Sequence, residues 1–211
     1  MNTDQEFELI KEFVNDEVGI FRKPSIKSKF KYNDSEHLAS LKKKFLNSRN
    51  SKVKIMEPKT ITDDALWEFI KLQKGLTKEK VSEFAKYHKI AMSIETKLGT
   101  LLESFIYKYA KDHDWIWCSG SILQDIDFIK KDIKDKNNYN WIALQVKNSD
   151  NSENAASSRV RVGTNIIKWF RRLSKVKNKD NWSELIKIIK SNDKELIENL
   201  SEKNYLNYLK S

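Results

Sequence analysis

Between residues 94 and 109 the apolar side chains Ile94, Leu98, Leu101, Leu102, Phe105, Ile106 and Tyr109 recur at helical spacing. The chain then turns to short runs rich in aromatic and β-branched residues, at 115–117, 122–129 and 141–147. That change of period, from 3.6 to 2, restricts the fold more than any other feature of the chain. A helix with one apolar face that feeds directly into strands buries that face by packing it across a sheet. The polar stretch KKDIKDKNNYN at 130–140 is expected to be the hairpin connection between the last two strands.

Around this centre the pattern is helical. Helices are expected over 4–15, 35–46, 63–74 and 77–87, with Thr62 and Thr77 as starts, and Pro24 and Pro58 are the only proline breaks. A basic, partly helical segment is expected over 155–173, where Ile166, Ile167, Phe170 and Leu173 make an apolar stripe and Trp169 is left for a dimer surface. Further helices are expected over 182–190 and 194–209. The expected class is α/β (α+β), a small mixed sheet flanked by helices over residues 91–211. A mainly helical, basic region over 1–90 precedes it, expected to clamp a partner, pair subunits or buttress the core.

Charge narrows the partner. The 211 residues carry 40 Lys and Arg against 30 Asp and Glu, a net +10. Residues 22–54 hold +9 and residues 155–190 hold +8, so the remainder sums to −7. Two basic blocks around an acidic middle suit a polyanion held near an acidic site. The lone Cys118 and three scattered histidines, His37, His88 and His113, offer no internal disulfide and no zinc-ligand spacing. The acidic first residues and the lack of a membrane-length apolar run give the expectation of a soluble, cytoplasmic protein without a membrane partner.

The middle contains a set of residues suited to phosphodiester hydrolysis, which commonly uses carboxylate-held divalent metal with a lysine close by. Gln145 and Lys147 are two apart on a strand and share a face. The hairpin partner QDIDFI brings Asp127 beside them, with Asp125 expected one step away on the same face, and Glu103 lies at the edge of the helical stripe.

Glu103, Asp127 and the triplet Gln145 to Lys147, in that helix, strand, strand order, resemble the acids and ExK triplet of the PD-(D/E)xK nuclease core. Two departures stand out: no proline precedes the aspartate, and the acid of the triplet is replaced by Gln145. The flanks are more specific. LQVKNSDNSENAASSRVR at 144–161, the stretch at 97–107 around LGTLLESFIY, and 125–129 are similar to the SinI family of type II restriction endonucleases, so the resemblance spans roughly residues 94–173.

That resemblance implies a homodimer that cuts double-stranded DNA with Mg²⁺ and no other small-molecule cofactor, at a short near-palindromic site, GGWCC. It implies Asp127, Gln145 and Glu103 as metal ligands and Lys147 as the group that activates water, with Asp125 and Glu153 in reserve. Asn148, Asn151, Asn154, Ser157, Ser158, Arg159 and Arg161 have the chemistry to contact bases or phosphates, and arginine suits the O6 and N7 acceptors of guanine. Two other readings remain open from the residues: a structure-specific or repair nuclease of the same superfamily, and a basic nucleic-acid-binding protein that cuts nothing.

Overall fold

The computed structural model describes residues 1–16, 21–25, 28–50, 63–135, 138–150, 166–174, 179–189 and 192–210. Four helices come first: α1 (Thr3–Asp16), α2 (Ser35–Asn50), α3 (Asp64–Lys74) and α4 (Lys78–Ala110). Strands β1 (Trp115–Trp117), β2 (Phe128–Asp135), β3 (Asn138–Ser149), β4 (Ile166–Leu173) and β5 (Lys179–Asp180) follow, then α5 (Trp182–Ile189), α6 (Lys194–Asn199) and α7 (Glu202–Tyr208).

The strands form one mixed sheet in the order β1-β2-β3-β4-β5. β3 is central, antiparallel to β2 and parallel to β4. Alternation along the strands sends side chains to two cores. On one face Trp115, Trp117, Phe128, Leu144, Val146 and Trp169 pack with Leu102, Phe105 and Ile106 of α4 and with Trp182, Leu185 and Tyr205. On the other, Ile116, Cys118, Ile129 and Ala143 pack with Phe7, Ile10 and Phe13 of α1 and Leu41 and Phe45 of α2. Each such fully buried apolar side chain contributes roughly 1.5–3 kcal/mol relative to exposure, so helices on both faces are what holds the sheet. The α/β expectation, a small mixed sheet flanked by helices, is met.

The chain divides into two compact units, residues 1–51 with 102–211, and residues 52–101. The first is the sheet with its helical layers. In the second, Asp63 caps α3 by accepting from the amides of Ala65 and Leu66, and Gly75 ends it with a left-handed backbone, φ 60°. A groove of about 800 Å³ is lined there by Trp67, Ile70, Leu76, Phe84, Tyr87 and His88.

Several local expectations are corrected. The cap of α3 is Asp63, not Thr62. The helices expected over 77–87 and from 94 onward are one, because nothing in YHKIAMSI between them breaks a helix. The stretch 130–140 is no long loop: β2 and β3 pair through it from Lys131↔Trp141 to Asp135↔Asn138. Over 166–173 the chain is strand, not helix, and Trp169 is a core residue, 1% exposed, whose indole N–H donates to the Asn181 carbonyl at 2.9 Å. The helix expected over 194–209 breaks at Leu200, and Ser201 caps α7 by accepting from the Asn204 amide.

Among the described residues, no helix is long and apolar enough to cross a membrane.

Candidate active site

The site forms where the start of β2, the second half of β3 and α4 meet. The last paired residues of the hairpin are Phe128↔Leu144, so Asp127 and Gln145 occupy the next position of the same register. The backbone ties them more tightly than ordinary pairing: the Asp127 amide donates to the Leu144 carbonyl at 2.9 Å, and the Val146 amide donates to Asp127 Oδ2 at 2.7 Å. The Asp127 carboxylate is thereby oriented against β3. Its carbonyl accepts from the Cys118 amide at 2.8 Å, which anchors it to the segment after β1 as well.

Gln145 is 2% exposed, and its Oε1 is buried with no hydrogen-bond partner among the described residues. An amide oxygen in that condition forfeits about 1–3 kcal/mol of solvation, an arrangement that invites a missing electropositive partner. Lys147, two residues on, shares the Gln145 face of β3 and stays partly exposed.

Glu103 joins from α4. The residue keeps some contact with solvent, but its carboxyl is enclosed, and the indole N–H of Trp117 donates to Oε2 at 2.8 Å. Burial, and then the negative charge of Asp127, push Glu103 up to about 8 from the usual 4.5, against the pull of the Trp117 hydrogen bond and of the Lys147 charge. Glu103 thus senses both Asp127 and Lys147, and Gln145 takes the position opposite Asp127 in the β2–β3 register. Two carboxyls that resist joint ionisation, with an unsatisfied amide oxygen beside them, make a set of hard oxygen donors short of positive charge. That set fits a divalent cation such as Mg²⁺. Among the described residues no three His, Cys, Asp or Glu side chains gather to hold a metal ion.

The chain matches the SinI restriction endonuclease family over residues 2–211. It is 33% identical over 187 residues to the type II restriction enzyme Eco47I of Escherichia coli, covering 89% of this chain and 76% of that one. To the type II restriction enzyme SinI of Salmonella infantis it is 34% identical over 163 residues, 77% of this chain and 68% of that one. The chain belongs to the SinI restriction endonuclease family.

In this SinI-family chain Glu103, Asp127, Gln145 and Lys147 come together as the sequence suggests. Asp125 does not join them on a strand face. β2 begins only at Phe128, and Asp125 has a left-handed backbone, φ 59°, so strand alternation does not extend back to it. Asn148 lies on the alternate face of β3 from Gln145 and Lys147, with a buried Oδ1 that has no hydrogen-bond partner among the described residues. Asn151, Glu153, Asn154, Ser157, Ser158, Arg159 and Arg161 lie outside the described residues.

Two side chains that sequence reasoning passed over touch the site's surroundings. Trp117 holds Glu103, and Arg49 of α2 donates to the Trp117 carbonyl at 2.6 Å. Nothing local could have flagged Arg49, which is 68 residues away in sequence.

Proposed function

We propose that this SinI-family chain is a type II restriction endonuclease that hydrolyses phosphodiester bonds of double-stranded DNA with Mg²⁺, as a homodimer, at a short near-palindromic site, with GGWCC as the site that the family resemblance implies. The observation that carries the reading is the Gln145 Oε1, buried with no hydrogen-bond partner among the described residues, opposite Asp127, which shares one field with Glu103 and Lys147.

Asp127, Gln145 and Glu103 would hold the ion. When bound, a divalent ion stabilises charge on the phosphate oxygens and acidifies bound water. The residues supply the rest. Asp127, oriented by the Val146 amide, offers a carboxylate whose position is set by backbone. Gln145 adds an oxygen donor without adding a third negative charge to an enclosed pair. Lys147 orients the attacking water and places a positive charge beside the phosphate as negative charge builds there. Glu103 completes the donor set and, as the group pushed up to about 8, is the carboxyl that gives up a proton when a cation arrives at neutral pH.

Asn148, Asn151, Asn154, Ser157, Ser158, Arg159 and Arg161 are proposed as contacts to base edges and phosphates, and the basic residues of 1–90 as DNA clamp or dimer element. Two equal halves reading a near-palindrome favour a two-fold dimer. The test is incubation of the purified chain with a sequenced plasmid, with and without Mg²⁺, followed by mapping of the ends. Discrete metal-dependent fragments support the reading. A smear would point to a nuclease without site preference, and uncut DNA under every divalent metal would refute it.

A further inference from the structure

The Glu103 carboxyl is not held by its own helix. The indole N–H of Trp117 donates to its Oε2 at 2.8 Å. Trp117 is 3% exposed and is itself fixed from behind. Arg49 donates to its carbonyl at 2.6 Å, to Ser119 Oγ at 3.2 Å and to the Tyr107 hydroxyl at 2.9 Å, and forms an ion pair with Glu6. The guanidinium also lies over the rings of Phe45 and Tyr107, 4.2 and 4.7 Å from their centroids. Tyr107 is one helical turn beyond Glu103 on α4, so Arg49 grips both the helix that carries Glu103 and the strand that carries Trp117.

We propose that Trp117 is a positioning residue of the active site: its indole N–H fixes Oε2 of Glu103 and so presents the carboxyl toward Asp127, with Arg49 locking the strand from which Trp117 reaches. Other indoles of the chain also find acceptors, Trp169 on the Asn181 carbonyl and Trp182 on Glu202, and Trp117 differs from them in that its acceptor is the carboxyl that lies in the field of Asp127 and Lys147. The Trp117 hydrogen bond runs to an ionisable carboxyl, the kind that contributes more than a neutral pair. The inference rests on the reading of Glu103 as a metal ligand.

The test is calorimetric titration of Mn²⁺ into the full chain stripped of metal, as a double-mutant cycle of Trp117→Phe and Glu103→Ala. Trp117→Phe keeps an aromatic ring and removes the donor, and is expected to weaken Mn²⁺ binding about tenfold, lower kcat and leave KM for DNA unchanged. In the Glu103→Ala background the same change is expected to have no further effect on Mn²⁺. Equal losses in both backgrounds, or an unchanged isotherm for Trp117→Phe, overturn the proposal while leaving the metal site standing. Should the variant fold poorly, the unaltered protein serves: the Trp117 indole N–H resonance should shift with Mg²⁺ in a saturable manner, and a static resonance overturns the proposal. No saturable metal binding by the unaltered chain sinks the metal-site reading and this inference together.

Discussion

Restoring a carboxylate at position 145 is the sharpest probe of the site. Gln145→Glu is isosteric and places a third acid in a position only 2% exposed, beside Asp127 and Glu103. Without metal, each like-charge pair costs roughly 4 kcal/mol at a separation of roughly 4 Å and an effective dielectric of about 20. The new acid therefore stays protonated or strains the fold. A net loss of about 2 kcal/mol would lower Tm by roughly 4–8 °C in a chain of this size. With metal the sign reverses, because a dication attracts the new charge about twice as strongly as either carboxylate repels it. The part of that attraction left after the repulsions and the proton to be released is expected to tighten binding ten- to hundredfold, roughly 1.4–2.7 kcal/mol. At saturating ion this appears as extra stabilisation of the same size. Thermal melts in EDTA and across a Mg²⁺ or Ca²⁺ titration read both effects. The variant should melt below the parent without metal and gain more from metal than the parent does. Equal melting in EDTA and equal metal-induced shifts would refute the placement of Gln145 in the site.

Four further outcomes follow from the same geometry. Lys147→Ala should abolish cleavage and leave specific DNA binding largely intact in a gel-shift assay; undiminished cleavage excludes it from the chemistry. Asp127→Asn should cost far more activity than Asp125→Asn, since only Asp127 is tied to β3 and sensed by Glu103, and equal losses would undo that ranking. Because the folded metal-free protein holds the Glu103 proton up to about 8, against about 4.5 when unfolded, that group's stabilisation is complete below the unfolded value. It is lost as pH rises through about 8, and the loss should show as a falling Tm that Glu103→Gln abolishes and Mg²⁺ flattens. Gly120→Ala should destabilise by at least about 1–2 kcal/mol from its left-handed backbone alone; its Cβ would also sit 2.8 Å from the Lys44 carbonyl oxygen of α2. A denaturant midpoint equal to the parent's would refute that packing.

What the sequence made legible is what local period encodes. Seven apolar residues at helical spacing placed the second half of α4 and with it Glu103. Two-residue spacing placed Gln145 and Lys147 on one face, and the short hairpin brought Asp127 to them. Two of the misses share a cause, which is that the contacts that fix the segment lie far off in sequence. Lys131, Asp132, Tyr139 and Asn140 read as loop because they are polar, yet they are the solvent-facing end of a hairpin whose Lys131 is held by Glu12 and whose Tyr139 and Trp141 both donate to Asp16. β4 read as helix because Ile166, Ile167, Phe170 and Leu173 fit a 3.6 period by accident. Its true determinant is the parallel ladder from Ala143↔Ile166 to Ser149↔Arg172, which no local window contains.

The same distinction separates the candidate site residues from their support. Glu103 on α4, Asp127 just before β2, and Gln145 and Lys147 on β3 lie within a span of 45 residues, and their chemistry can be read from residue type and spacing. Their support cannot. The carboxyl of Glu103 depends on Trp117, Trp117 on Arg49, and Arg49 on Glu6 and Tyr107, a chain of contacts that crosses α4, β1, α2 and α1. Residues 1–50 therefore do more than supply positive charge ahead of the core. α1 and α2 cover one face of the sheet and lock the strand that holds Glu103, so a substitution as remote as Glu6 would reach Glu103 through Arg49 and Trp117.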